Sequence, residues 1–337
     1  MNARIEDVAR QAGVSTATVS RALRGLPNVS VETRETVARV ARELGYVASR
    51  SAARLATGRT LAVAVIAPYL DRWFFAHAVA GIETELRRSG MDALLVGLAE
   101  PDNTERGDFA ASTLRGRVDA VIVLTIPLTG RELDEVRALA LPTVYVGAAV
   151  AGAMSVRVDD VAVARLATEH LIALGHSRIG FIGGDPHQPL NFNAPADRRA
   201  GWMAALREAG LEPAPELDAP GMFTAEGGRD AMRELLALDE PPTAVFAASD
   251  EMALGALAAA HSAGVRVPED LSIVGVDGHE LAALMGITSV EQPVTEQGQL
   301  AARMVLEALH GERSRRHEHV VVPVTLTVRD STAAPRP

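Results

Sequence analysis

The chain contains no cysteine and no lysine among its 337 residues. The first absence excludes disulfides and thiolate metal sites. The second leaves arginine to supply all 33 basic side chains, a bias of the kind that genome base composition produces. Aromatic residues make up 4% of the chain, with two tryptophans, so any clustering of rings is informative. No apolar run approaches the roughly 18 residues a membrane helix requires, and no membrane partner is expected. The N-terminus is charged and helix-forming from Arg4, without the apolar stretch of a signal peptide, so the expected location is the cytoplasm. No P-loop and no Ser-His-Asp spacing appears, and Gly183-Gly184 lacks the rest of a dinucleotide fingerprint. Neither a catalytic set nor a cofactor is therefore expected. No metal site is expected from His310, His317 and His319, or from Asp159-Asp160, which read as cleft or cap residues.

The charge that is present is unevenly spread. The whole chain carries a net charge of −10, which argues against nucleic-acid binding over its full surface. Residues 1–59 nevertheless hold ten arginines against five acids, while the remainder holds 23 against 38. A basic head on an acidic body is the asymmetry expected when only the head meets phosphate.

That head spells helix, turn, helix. Ile5, Val8, Ala9 and Ala12 recur at helical spacing. Gly13 supplies the positive φ of a sharp turn, Val14 plugs the corner, and Ser15 is placed to cap the next helix. In that second helix Val19, Ala22 and Leu23 face inward, which leaves Thr16, Ala17, Ser20 and Arg21 outward, a surface suited to a DNA groove. A third helix is expected from Val31 to Leu44, with Ser30 as N-cap and Gly45 as its stop. Residues 48–59 are Ala-rich around a single Leu55 and are too short for a stable isolated helix; composition alone makes them a linker.

Beyond Leu61, apolar runs at Leu61–Ala67, Ala93–Leu98, Ala120–Leu124, Thr143–Val146, Ile179–Ile182, Ala244–Ala247 and Ile273–Val276 alternate with helix-period segments. The segments are Val79–Arg88, Val161–Leu174, Gly201–Ala209, Gly228–Leu238 and Met252–Ser262. The rhythm implies α/β architecture with doubly wound parallel sheets. The length implies two lobes, although no internal sequence repeat is visible.

Along nearly its whole length the chain resembles the lac-repressor/galactose-repressor (LacI/GalR) family of bacterial transcription regulators. The resemblance is carried in the head by Ile5-Glu6-Asp7-Val8-Ala9, Ala12-Gly13-Val14-Ser15, Thr18-Val19-Ser20-Arg21, Val29-Ser30 with Thr33-Arg34, and Leu44-Gly45-Tyr46. In the body it is carried by His170–His176 leading into Ile179–Gly184, by Ser249–Gly255, by Val267–Asp277, and by Thr288-Ser289-Val290 with Gln292-Pro293. The resemblance implies a three-helix DNA-binding head (1–47), a hinge (48–59) and an effector-binding core like periplasmic sugar-binding proteins (60–337). The chain would cross between the lobes three times, with the first lobe at about 60–157 and 288–320 and the second at about 158–287 and 321–332. It also implies a homodimer acting on palindromic double-stranded operator DNA under the control of a small-molecule effector, with a sugar as the default.

On this resemblance Thr16, Ala17 and Arg21 face bases. Arg21 can hold guanine O6 and N7 with two bonds, a contact worth about 1–3 kcal/mol of discrimination. Ser15, Thr18, Ser20, Asn28, Ser30 and Thr33 suit phosphates, and Tyr46 is a further DNA-binding candidate. Ser15 serves equally as a plain N-cap, and Thr18 as a packing residue. Residues 48–59 become a hinge helix in which Leu55 wedges into the minor groove, flanked by Ser49, Ala52 and Arg54. Arg4 replaces the usual helix cap of the family, leaving Asn2 to supply it, and Ser49-Arg50 replaces a common Asn-based hinge start. In the cleft, motif matching selects Arg198, Ser249 and Asp277. An arginine fork and a carboxylate can grip sugar hydroxyls, though Arg198 could lie on a helix surface and Asp277 could close a turn. Ser249 departs from the common Asn and leaves room for a nucleobase, another metabolite or a protein co-regulator acting by corepression. From the first lobe, Asp71, Trp73 and Phe74 follow the first strand in a loop, with Phe75 in the core. Thr125 and Phe223 complete the candidates. Gly147-Ala148-Ala149 stands where many relatives carry Asp or Arg, which implies a larger or less charged ligand.

Leu55→Ala is expected to weaken specific operator binding while sparing weak non-specific binding. Gel shifts on a palindromic duplex and on unrelated DNA check this, and equal losses on both would remove the wedge.

Overall fold

The computed structural model describes residues 3–23, 27–46, 59–98, 109–125, 128–150, 152–184, 193–311 and 319–336. Residues 1–61 and 62–337 form two compact units.

The first unit contains α1 (Ile5–Ala12), α2 (Thr16–Leu23) and α3 (Val31–Glu43). Val8, Val19, Val37 and Val40 interlock with Ala9, Ala22 and Ala41 as its buried centre, and Ile5, Val14, Leu44 and Tyr46 pack around it. The side chains are small because the helices are short and meet closely. Gly13 turns the chain at φ +67°. Ser30 caps α3 by accepting from the Thr33 amide. Arg4 provides no side-chain cap for α1; Asp7 reaches back to the Arg4 amide at 3.0 Å instead.

The second unit holds two six-stranded sheets. The first contains β1 (Ala62–Ala67), β2 (Asp92–Gly97), β3 (Ala120–Leu124), β4 (Thr143–Val146) and β5 (Met154–Arg157), with α4 (Trp73–Arg88) and α5 (Gly130–Ala138) along it. The second contains β6 (Ile179–Gly183), β7 (Asp218–Pro220), β8 (Ala244–Ala247), β9 (Ser272–Asp277) and β10 (Thr288–Glu291). Its helices are α6 (Asp160–Ala173), α7 (Asn193–Glu208), α8 (Ala225–Leu236), α9 (Asp250–Ser262) and the short α10 (Glu280–Leu284). The chain then returns through α11 (Val294–Leu309) to β11 (His319–Val321), and ends on β12 (Thr325–Thr327). Strand orders are β2-β1-β3-β4-β5-β11 and β7-β6-β8-β9-β10-β12. All pairings are parallel except β10 with β12. The run Ala-Val-Ala-Val-Ile-Ala of β1 is buried at every position, as a strand covered on both faces must be.

In both sheets the strand order reverses beside the first strand. In such open sheets ligands bind at this switch point, outside the carboxyl ends of the strands.

Helix pairs stiffen each lobe. A Cβ at Gly298 would lie 2.2 Å from the Ala78 carbonyl oxygen, and one at Gly81 would lie 2.1 Å from that of Thr295. The backbones of α4 and α11 therefore touch, leaving no room for a side chain.

The structure departs from the sequence reading in several places. Thr288–Glu291 belongs to the second sheet, paired in register with Val274–Asp277, so the chain crosses at Gln292-Pro293 rather than at 288. Pro293, which has no amide hydrogen, breaks the ladder there. The first lobe resumes with α11 and ends with β11 at Val321. Trp73 and Phe74 open a helix rather than sit in a loop. Arg72 supplies no side-chain cap, and a Trp-Phe-Phe run favours strands, so the start was hidden. Helices α5, α10 and α11 and strands β5, β7, β10, β11 and β12 were not anticipated, although Val294, Ala301, Ala302 and Val305 do share one face of α11.

Gly298→Ala is expected to destabilise the protein by about 1–3 kcal/mol through overpacking against Ala78. A lowered denaturation midpoint with unchanged slope checks it.

Candidate functional site

On the head, Thr16, Ala17 and Arg21 are exposed on α2. Ser15 accepts from the Thr18 amide at 3.1 Å, and its hydroxyl lies 2.9 Å from that of Thr18. The plain N-cap is therefore the geometry found, and Thr18 is half-buried beside it. Ser30 and Thr33 form the same pair at the start of α3, with hydroxyls 2.8 Å apart. Asn28 is exposed with φ +69°, and Ser20 and Tyr46 are half-buried. Ser49, Ala52 and Leu55, with Arg50 and Arg54, lie outside the described residues, as does Asn2.

The core holds a cavity that is partly open to solvent. Its walls come from the carboxyl ends of both sheets. Tyr69, Arg72, Trp73, Phe74 and Phe75 follow β1, Thr125 follows β3 and Gly147 follows β4. From the second lobe come Asp160, Arg198, Phe223, Ser249, Glu251 and Asp277, and Gln292 and Gln297 line it from the second crossing and α11. The switch points thus face one another across it. Five aromatic rings line the cavity in a chain poor in them. Three lining residues, Thr125, Phe223 and Asp277, hold positive φ of 41°, 54° and 123°. Strain of this kind costs of order 1–3 kcal/mol per residue, and it clusters where a site must be shaped.

Arg198 is the charged centre. It lies one helical turn before Trp202, which is buried and stacks on Phe181 at 5.4 Å. That packing turns the Arg198 face of α7 inward. The guanidinium Nε donates to Asp160 at 2.8 Å, and NH1 donates to the Ala248 carbonyl at 2.5 Å. Burial works against its charge, and Asp160, Asp277 and Asp250 more than restore it, so the group is held cationic. Asp277 accepts from Gln292 at 2.6 Å, and Gln292 accepts from Gln297 at 3.1 Å. Burial pushes the Asp277 carboxyl up to about 6, against the pull of Arg198 and Gln292. Behind it, burial and then repulsion from Asp277 push Asp250 up to about 8, although Ser289 and the amides of Gly278 and His279 donate to it. Ser249 caps α9 by accepting from the Met252 amide, which leaves its hydroxyl hydrogen to donate elsewhere. The Thr125 hydroxyl is buried with no hydrogen-bond partner among the described residues. A Cβ at Gly147 would lie 2.1 Å from the Thr125 methyl, so the wall carries no side chain there.

Trp73, Phe74, Thr125, Arg198, Phe223, Ser249 and Asp277 are thus brought together. Asp71 is not: it is exposed and stands outside the cavity lining, where its neighbour Arg72 takes the place instead. Arg198 is not a surface residue, being only 5% exposed. Phe75 is buried as core and also contributes to the wall. Asp159 is the N-cap of α6 and Asp160 is the partner of Arg198, so the pair divides into one cap and one cleft residue. Among the described residues no cluster of three or more potential metal ligands occurs. Gln297, Glu251, Tyr69 and Arg72 were missed, and of these only Tyr69 and Arg72 carried a signal, by lying just past the end of β1.

Asp277→Asn is expected to stabilise the unliganded protein. The carboxyl has a higher pKa folded than unfolded, so its contribution to stability is fully present below about pH 4 and is lost as pH rises through about 6. Asn removes that loss and can still accept from Gln292. At pH 7.5 the gain should be about 1–3 kcal/mol, and it should vanish in acid. Denaturation at several pH values measures it.

Residues 4–49 match the family described as "Bacterial regulatory proteins, lacI family", and residues 168–332 match a "Periplasmic binding protein-like domain". The HTH-type transcriptional repressor CytR of Escherichia coli K12 is 35% identical over 316 residues, covering 92% of this chain and 91% of that one. The HTH-type transcriptional regulator CelR of Thermobifida fusca is 36% identical, covering 97% of each chain. Among solved structures, a CelR–cellobiose complex superposes with TM-score 0.71 at 34% identity, covering 98% of this chain and 99% of that one. A lac repressor dimer bound to operator and the anti-inducer ONPF superposes with TM-score 0.84 at 28% identity, covering 99% of this chain and all of that one. No described helix is long and apolar enough to cross a membrane. With a helix-turn-helix head and a cavity at paired switch points already in place, these matches assign the chain: it belongs to the lacI family of bacterial DNA-binding transcriptional regulators.

Proposed function

We propose that the chain is a cytoplasmic homodimeric repressor of palindromic operators that releases its DNA when a neutral sugar of disaccharide size fills the cavity. The observation that carries the sugar reading is the pairing of the rings of Tyr69, Phe74, Phe75 and Phe223, and Trp73 beside them, with a guanidinium already balanced by Asp160. Rings suit the C–H faces of pyranoses. The polar groups of the wall, namely the remaining edge of Arg198, the second oxygen of Asp277 and the hydroxyl of Ser249, suit ligand hydroxyls. With its cation balanced internally, the site has no call for an anionic ligand. The missing side chain at Gly147 leaves that wall open to a larger ligand, and CelR, one of the relatives, was solved with cellobiose.

In the head, Arg21 and Ala17 read bases from α2, the capped serines and threonines sit at phosphates, and Leu55 wedges the centre of the site. The second copy covers the apolar side of α10, where Leu281, Leu284 and Met285 are 55%, 79% and 58% exposed. Effector and operator are coupled through lobe orientation, and the ligand shifts that balance only by its differential affinity for the two states.

The test is a gel shift with palindromic duplexes at nanomolar protein and moderate salt, repeated with cellobiose, other neutral disaccharides, monosaccharides and a sugar acid. Binding that a neutral disaccharide abolishes supports the reading, and Asp277→Asn should then bind DNA without responding. Absence of palindrome binding removes the regulator mechanism. Tighter DNA binding with ligand reverses it to corepression, and a strongest response to a small acid removes the ligand class.

A further inference from the structure

Trp73 stands at the mouth of the cavity on the first lobe, and the second lobe grips it. Its indole Nε1–H donates to Glu280 Oε2 at 2.6 Å. The other oxygen, Oε1, lies 3.1 Å from Nε2 of His77, one turn further along α4, and Nδ1 of His77 lies 2.8 Å from the Trp73 carbonyl. The indole also stacks on two imidazoles, His77 at 4.2 Å and His279 of the second lobe at 5.2 Å. Its ring is thus already engaged and is not a bare platform for a sugar.

We propose that Glu280 is a positioning residue for the effector site: by holding Trp73 across the cleft it fixes one wall of the cavity and makes closure of the lobes part of effector binding. The part concerning the effector rests on the sugar reading above; the grip itself does not. Three features support it. The bond joins elements 207 positions apart in sequence and on opposite lobes, so it exists only while the lobes are closed. One carboxylate engages two side chains of the facing helix, which sets direction as well as distance. Finally, the group is kept ionised: burial raises the Glu280 carboxyl, and the Trp73 indole, its own backbone amide and the imidazoles of His77 and His279 more than reverse this. His279 accepts from the Leu281 amide and so caps α10 while covering the indole. The grip is therefore mounted on a fixed helix end.

The experiment uses the full-length chain labelled with 15N-tryptophan. Its two tryptophans, Trp73 and Trp202, give two indole N–H resonances, and Trp73→Phe assigns them. Without ligand, Glu280→Ala should shift the Trp73 resonance upfield and speed its hydrogen exchange several-fold. Trp202, buried in the second lobe, should keep its position and reports that the fold is intact. Glu280→Gln, whose amide oxygen still accepts, should restore both properties. With cellobiose as the calorimetric probe, Glu280→Ala and Trp73→Phe should each weaken binding about fivefold to tenfold, the loss of roughly one hydrogen bond. The double variant should be no weaker than Trp73→Phe alone. An unmoved Trp73 resonance in Glu280→Ala overturns the grip, and additive losses in the double variant overturn its role in binding. If cellobiose does not bind, the ligand reading falls while the resonance still decides the grip.

Discussion

One buried cation organises the core. Arg198 is anchored by Asp160 and the Ala248 carbonyl, and it faces two further carboxylates, Asp277 and Asp250. Breaking the buried Arg198–Asp160 pair by removing one member leaves an uncompensated charge and costs about 3–5 kcal/mol, so neither of the two can change alone. Their positions bring together the start of α6, the middle of α7, the end of β8 and the end of β9. The cavity floor is thereby drawn from four separate stretches of chain. The elevated Asp277 carboxyl is the part of the cluster that a ligand with hydroxyl donors would relieve.

Around this charge the two lobes are built alike. Each has the order 2-1-3-4-5 with a sixth strand from the C-terminal portion of the chain. The likeness lies in the topology and leaves no trace in the residues, since a parallel strand covered on both faces asks only for small and branched aliphatics in any order. That is why the alternation of strands and helices was readable from composition and spacing, while the partition between lobes was misplaced at Thr288. Ser289 and Thr288 are polar, yet both are wholly buried. Their hydroxyls go to Asp250 and to the C-terminal segment, where Ser331 accepts from the Thr288 amide. No local pattern could reveal a strand whose polar groups are satisfied from 39 and 43 positions away.

The site was legible to the same degree, and for the same reason. Arg198 could be picked out because Gly201-Trp202 follows it as in the family's motif, and Asp277 because it ends the matching motif Val267–Asp277. Both signals are local. Gln297 and Glu280 matter because a distant element meets them, and no reading along the chain finds a contact between Trp73 and a residue 207 positions later. Asp71 was chosen because it follows the first strand; the helix that begins at Trp73 leaves Arg72 in the cavity wall and Asp71 exposed. In the head the hydroxyl residues were easier to locate than to assign, because Ser15 and Ser30 spend an acceptor on their own helix ends and keep surface enough for a phosphate.

The chain passes between its two sheets at three places, after β5, after β10 and after β11. Neither lobe is therefore a continuous stretch of chain. The first sheet is complete only when β11 arrives from the C-terminal portion, and the second only when β12 does. The core is a knot tied with the last residues of the chain, and losing that end would open an edge in both sheets at once.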